Sequence, residues 1–194
     1  MFFETILMVD GRPQAVGEHE ARMQRTAAAH GFQPPPLPDL ARLVPADLAS
    51  GRTRCRVDYA EQITSVRFAR HRPRQLSALE LVPADHLDYG FKRADRSALD
   101  RLVTEAGVEP LIVVEGRLSD TTFSNLVLQR GDQYLTPATP LLAGTRRARL
   151  LREHRIAEAE LGPDDVANFE TVHLVNALVD LGELVLPVAD VRRH

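Results

Sequence analysis

Residues 88–96 read Asp88-Tyr89-Gly90-Phe91-Lys92-Arg93-Ala94-Asp95-Arg96, and they hold the only lysine of the 194-residue chain. Lysine and arginine together number 24, so arginine fills every other cationic position. A coding bias toward arginine accounts for those positions. Arginine matches lysine as a charge but cannot lose its proton or act as an amine nucleophile. The surviving lysine is therefore a candidate for amine chemistry. Pro83 to Gly90 breaks the patterning before it. After it, residues 95–106 carry Leu99, Leu102 and Val103 on one helical face, with Gly107 at the stop. That pattern predicts a helix and places Lys92 near its start. The helix dipole, Arg93 and Arg96 would each lower the amine's pKa and favour the neutral nucleophile. A solvated lysine at a helix end is the other reading of the same residues.

Upstream, residues 2–9 read as a strand closed by Asp10-Gly11. Residues 17–30 read as a helix stopped by Gly31. The run 33–38 (Gln-Pro-Pro-Pro-Leu-Pro) fits neither helix nor inner strand and reads as a stiff connection. A short helix is expected within 40–50, and strands at 53–60, 62–69 and 76–82. Downstream, a strand at 110–115 ends in the turn Glu115-Gly116-Arg117. A hairpin is expected from 124–129 and 133–136 around Arg130-Gly131-Asp132. Residues 137–143 read as a loop, Gly144 opens a helix to about His154, and strands near 156–160, 171–176 and 183–186 follow. The sum is an α+β chain in two lobes, with the boundary placed after residue 84: 1–84 and 85–194.

Two further segments attract chemistry. In Leu142-Ala143-Gly144-Thr145-Arg146-Arg147, a glycine enters a helix, where backbone N–H groups and the dipole can hold an anion. A plain helix boundary with a basic surface reads the same way. Leu118-Ser119-Asp120-Thr121-Thr122-Phe123-Ser124-Asn125 groups an acid with hydroxyl and amide side chains between two strands. It reads either as a hydrogen-bonding cluster for a cofactor or as a polar turn.

Composition narrows the class. Apolar residues make up 44% and charged ones 26%, with formal net charge -3 and pI near 6.2. No basic excess favours nucleic acid, no apolar run spans a bilayer, and the start lacks signal-peptide features. The single Cys55 makes no internal disulfide, and no metal-ligand pattern stands out. Cytoplasmic residence is the expectation. No Walker or dinucleotide glycine pattern supports a nucleotide-binding module.

Taken in order, these segments resemble the class IV (fold type IV) aminotransferases and aminodeoxychorismate lyases, which use pyridoxal phosphate. Phe3-Glu4-Thr5 is similar to the family's opening strand motif. Glu18-His19 with Arg22-Met23 resembles a segment whose arginine binds the cofactor phosphate. Lys92 matches the Schiff-base lysine. Leu118 to Asn125 resembles the segment whose acid pairs with the pyridine nitrogen. Leu141 to Arg147 resembles the helix start that grips the phosphate, and Asn176-Ala177 a late strand end that contacts it. The resemblance thus implies a D-amino acid aminotransferase-like fold: a small N-terminal α/β lobe and a C-terminal, β-barrel-like lobe with helices. It implies an internal aldimine on Lys92, with Asp120 holding the pyridine nitrogen protonated. Arg22, Asp120, Thr121, Thr145, Arg146 and Asn176 would bind the cofactor. Arg56 and Tyr59 are expected to meet a small-molecule amino substrate, and a homodimer is expected because relatives build each site from both protomers.

Departures from the family pattern are equally plain. Asp120 stands where glutamate is usual, Thr121 replaces a glycine, and Arg146 replaces a threonine. The usual leading strand is expected to be missing. Three outcomes stay open: a lyase releasing 4-aminobenzoate and pyruvate, a D-amino acid or branched-chain aminotransferase, and a non-catalytic cofactor-binding protein.

Overall fold

The computed structural model describes residues 1–193. The chain forms two compact units: residues 1–72 with 91–95, and residues 73–90 with 96–194. The boundary expected after residue 84 and these units differ. The strand at 78–83 belongs to the second unit, and the short segment carrying Lys92 belongs to the first.

In the first unit, β1 (Phe2–Val9), β2 (Arg12–Pro13), β3 (Arg52–Tyr59) and β4 (Ile63–Arg70) form one antiparallel sheet in the order β2-β1-β3-β4. Successive side chains on a strand point to opposite faces. One face gathers Ile6, Met8, Cys55 and Val57 with Leu40, and Phe2 and Tyr59 with Met23. Helix α1 (Val16–His30) supplies Met23 and ends as expected at Gly31. That glycine sits at φ 72° and donates its N–H to the Ala27 carbonyl, a left-handed stop that suits glycine. The proline run leads into the four-residue helix α2 (Leu40–Leu43) and a 3-10 turn at Ala46–Leu48. Residues 91–95 return to β1: Phe3 N–H donates to the Lys92 carbonyl at 3.0 Å, and Phe2 bridges Arg93. β3 occupies the other edge of β1 along its whole length, so Lys92 is fixed on the β2 side.

In the second unit, β5 (Ala78–Pro83), β6 (Val108–Val114), β7 (Arg117–Thr121) and β13 (Val191–Arg192) form a sheet in the order β13-β5-β6-β7. A second sheet, β10-β9-β8-β11-β12, uses β8 (Asn125–Arg130), β9 (Gln133–Pro137), β10 (Ala157–Ala159), β11 (Thr171–Val175) and β12 (Val185–Pro187). Leu79, Leu111, Val113 and Leu118 of the first sheet share a core with Leu126, Leu128, Val172 and Leu174 of the second. The alternation sends Ile112 and Val127 the other way. Ile112 packs with Leu99 of α3 (Ser97–Asp100), and Val127 with Leu150 of α4 (Thr145–Arg152).

Two expectations need correction. The helix predicted over 95–106 shrinks to the four residues of α3. Of its three apolar anchors only Leu99 is fully buried, and Val103 is 41% exposed. One anchored turn cannot offset the cost of nucleating a longer helix. Lys92 therefore lies five residues before a single helical turn and not at the start of a long helix. The polar run 118–125 is also more than a turn: its first half is β7, its end opens β8, and residues 122–124 make the connection.

Candidate active site

In the first unit, residues 3 and 4 divide the chemistry between the two faces of β1. Glu4 is fully buried and meets α1, where the i, i+3 spacing of His19 and Arg22 puts both on one helical face. His19 Nδ1 lies 2.6 Å from one Glu4 oxygen, and Arg22 Nε donates to the other at 2.8 Å. Arg22 Nη2 completes a bidentate pair. Burial alone would raise the Glu4 carboxyl. The Arg22 charge, its hydrogen bonds and those of His19 outweigh it and hold Glu4 at about 2. Arg22 is thus anchored, with its plane set by Glu4.

The other face of β1 carries Phe3. Lys92 Nζ lies 4.8 Å from the centre of that ring, and the Arg56 guanidinium 3.8 Å from it. Lys92 and Arg56 thus both lie against the Phe3 ring, Lys92 reaching it from the β2 side of β1 and Arg56 from β3. Tyr59 is not with them. It lies three residues along β3, is fully buried and packs with Phe2 and Met23 on the α1 face. The expected placement of Tyr59 beside Arg56 fails because an odd spacing on a strand reverses the face.

In the second unit, β7 delivers Asp120 into the interior. Its Oδ1 accepts from Asn125 Nδ2 at 2.8 Å, and its Oδ2 from the Leu142 N–H at 2.9 Å. Burial pushes the carboxyl up to about 6, opposed only in part by those hydrogen bonds and the Arg147 charge. Asn125 also donates to the Leu142 carbonyl at 2.9 Å, so one amide braces both the acid and the loop before α4. Gly144 follows from this: a Cβ there would meet Asn125 Oδ1 at 1.8 Å. The glycine lets the helix start approach the acid's bracket. No side chain caps α4 at Gly144, so its first backbone N–H groups lack a side-chain acceptor there.

The remaining residues named from the sequence divide into several groups. Thr145 is buried at the first position of α4. The Arg146 side chain is tied to Asp180 at 2.9 Å, so only its backbone is left to face an anion at the helix start. Thr121 Oγ1 accepts from the Ser124 N–H at 3.1 Å and closes the 121–124 turn. Asn176 Nδ2 donates to Ser124 Oγ at 2.8 Å, and its Oδ1 accepts from the Leu178 and Val179 N–H groups. Asn176 and Thr121 therefore order the turn beside Asp120.

Some participants escaped sequence reasoning. Buried Glu109 accepts from the N–H of Thr122 at 2.9 Å and from its hydroxyl, pinning the turn that follows Asp120. Burial raises its pKa, partly offset by Thr122, Arg74 and Arg96. Asp58 binds Arg56 and Arg67 together; burial would raise its carboxyl, but the two arginines hold it low. No spacing rule flags either acid, because Glu109 acts through Thr122 beyond the next strand and Asp58 joins Arg56 of its own strand to Arg67 across the sheet. Among the described residues no cluster of His, Cys, Asp and Glu could hold a metal ion, and no helix is long and apolar enough to cross a membrane.

The amino-transferase class IV family model matches residues 1–189. An uncharacterized protein of Haemophilus influenzae is 30% identical over 181 residues, 91% of this chain and 96% of that protein. Among solved structures, a candidate 4-amino-4-deoxychorismate lyase from Haemophilus somnus 129PT is 30% identical, with a TM-score of 0.82 over 93% of this chain and 97% of that one. A hypothetical aminotransferase from Mycobacterium tuberculosis, solved with pyridoxal phosphate bound, has a TM-score of 0.78 at 19% identity over 98% of this chain and 80% of that one. That last likeness is one of fold alone.

Proposed function

This chain belongs to the class IV aminotransferases, a family of pyridoxal phosphate enzymes, and from that premise we propose that it is an aminodeoxychorismate lyase. It would convert its substrate to 4-aminobenzoate and pyruvate. The observation that carries the lyase reading is the 30% identity to the Haemophilus somnus protein, which covers nearly all of both chains. An amino acid aminotransferase is the second reading, favoured by the family model.

The residues present fit the cofactor. A pyridinium nitrogen needs a buried acid with its oxygens fixed, and Asp120 is one. A phosphate needs backbone donors at a helix start, and the approach at Gly144 supplies them at Thr145 and Arg146. Bound there, pyridoxal phosphate supplies an aldehyde that captures amines and a ring that withdraws electrons from the substrate's Cα.

The chain's own residues then have distinct tasks. Lys92 is the residue that would hold the cofactor through its amine, and that amine is the base and acid available to move a substrate Cα proton. Asp120 is the acid that would accept a charge-assisted hydrogen bond from a protonated ring nitrogen. By the family resemblance Arg22 would bind the phosphate, and the α4 amides are assigned to it in the second unit; Asn176 and Thr121 keep the turn beside Asp120 in shape. Arg56 receives a substrate carboxylate. We further assign the protein to the cytoplasm and to a homodimer; sedimentation of the loaded protein at micromolar concentration tests the dimer.

Borohydride reduction and peptide mapping should place the trapped cofactor on Lys92; an adduct elsewhere overturns the assignment. Asp120→Ala should keep much of the cofactor and lose most turnover. Incubation with enzymatically made aminodeoxychorismate should yield 4-aminobenzoate and pyruvate. If neither forms, while a D- or branched-chain amino acid gives its keto acid, the aminotransferase reading replaces the lyase.

A further inference from the structure

Arg54, Arg56 and Asp58 alternate along β3 with the buried Thr53, Cys55 and Val57, so the three share the sheet face opposite α1. Arg67 on β4 is the register partner of Arg56 and joins the same face. Like charges directly opposite each other on neighbouring strands repel. Asp58 relieves this pair by bridging it. Its Oδ1 accepts from Arg56 Nε at 2.8 Å and lies 2.7 Å from Arg56 Nη2, and its Oδ2 accepts from Arg67 Nη2 at 2.7 Å.

The bridge leaves charge over. Two guanidiniums share one carboxylate, and among the described residues neither Arg56 nor Arg67 meets another acid. Stability accounts for the Arg56–Asp58 pair better than for Arg67. The Arg67 side chain is 65% exposed, and exposed pairs add little. Arg56 is different: it is 27% exposed, held by Asp58 and stacked on Phe3, the ring that also carries Lys92 Nζ. The amine and Arg56 thus share the Phe3 ring, and Arg67 shares the Asp58 carboxylate with Arg56 on the same sheet face. A guanidinium with its plane already fixed loses little freedom on binding a carboxylate.

We propose that Arg56, Asp58 and Arg67 form a substrate-reading site that selects amines carrying two carboxylates, Arg56 taking one and Arg67 the other. Asp58 is the positioning residue that holds both guanidiniums on one face. The inference rests on reading Lys92 as the amine-chemistry lysine, and it deepens that reading by naming a substrate class. The lyase substrate proposed above carries a ring carboxylate and an enolpyruvyl carboxylate and falls within the class. Branched-chain amino acids fall outside it.

The test uses the loaded enzyme and two aromatic acids that cannot react, isophthalate with two carboxylates and benzoate with one. Calorimetric titration should show isophthalate binding at least tenfold more tightly. Arg67→Gln should erase that preference by weakening isophthalate at least tenfold while leaving benzoate unchanged. Arg56→Gln should weaken both acids. Arg67 is exposed, so its replacement does not threaten the fold, and thermal melts of each variant check this. Equal binding of the two acids by the parent protein, or a preference that survives Arg67→Gln, overturns the proposal. Borohydride trapping on the same samples separates the two levels. A cofactor trapped on Lys92 without any dicarboxylate preference sinks this inference alone, and a cofactor trapped elsewhere sinks the reading beneath it as well.

Discussion

Glu4 in the first unit and Asp120 in the second are both buried carboxyls, yet their pKa values move in opposite directions. Glu4 falls from its ordinary 4.5 to about 2, and Asp120 rises from 3.8 to about 6. Burial is the largest single influence on both and pushes both upward. The difference lies in the company each keeps. Glu4 faces the paired guanidinium of Arg22 and the ring of His19. Asp120 receives neutral donors from Asn125 and Leu142, and Arg147 acts on it through charge. A buried acid with its cation in hand is a structural fixture. A buried acid held in place by neutral donors is prepared for a cation that arrives from outside, such as a protonated ring nitrogen.

The comparison breaks most visibly at Glu4. Glu4→Gln leaves Arg22 buried without its counter-charge, at a cost of about 3–5 kcal/mol. Denaturant titration at neutral pH should show that loss, and a loss below about 1 kcal/mol would mean that the triad carries little of the first unit's stability.

Asp120 should behave in the opposite sense. In the unloaded protein its raised pKa means the folded state keeps a proton that the unfolded state loses near 3.8. Stability from this group is therefore present below about pH 4 and declines as pH rises toward 6. The swing is about 3 kcal/mol at most, because a tenfold change in proton affinity corresponds to about 1.36 kcal/mol. Asp120→Asn should flatten the decline and stabilise the unloaded protein at pH 8. For Glu4 the direction reverses: its contribution is present above about pH 4.5 and is lost as pH falls toward 2. Melts of the parent and both variants from pH 3 to pH 8 should separate the two trends. Parallel profiles for Asp120→Asn and the parent would remove the contrast.

Arg22→Ala sharpens the same contrast through the ligand. It removes a hydrogen bond to a charged group, worth roughly 1.5–3 kcal/mol. Cofactor affinity should fall at least tenfold, measured by equilibrium dialysis. Unchanged affinity would confine Arg22 to holding Glu4.

The smallest expected effect lies in the bracket around Asp120. Gly144→Ala places a methyl group where Asn125 Oδ1 stands, so the amide must shift. Overpacking of this kind costs about 1–3 kcal/mol. If the Asn125–Asp120 bond is what fixes the acid, the variant should also bind cofactor more weakly. Full stability and affinity in Gly144→Ala would show that the bracket yields without consequence.

Much of the architecture could be read locally. The alternation of β3 around Cys55, Val57 and Tyr59, the Gly31 stop, the Glu115-Gly116 turn with φ of 50° and 74°, and the hairpin at 131–132 all depend on neighbours a few residues away. Such features are encoded where they occur. The helix over 95–106 misled because periodicity marks where apolar residues would meet a core, and only Leu99 found one. The site shows the same divide. Lys92, Asp120 and Gly144 could be singled out because the chemistry proposed for each restricts its residue type. Glu109, Asp58 and the Asn125 bracket could not, since Asn125 meets Leu142 across 17 positions and Arg56 meets Arg67 across two strands.

The sequence by itself determined which groups this protein has to work with: one lysine, an acid in a polar run, a glycine at a helix start, and an order of segments shared with one family. The tertiary structure alone decided what those groups can do. It put Glu4 against Arg22 and left Asp120 with neutral donors, and so set the two acids apart in charge. It set Lys92 and Arg56 each against the Phe3 ring, and turned Tyr59 into the core. The reason is physical. Residue identity fixes an ionisable group's ordinary pKa and reach, but desolvation and partner charge depend on which distant segments fold against it.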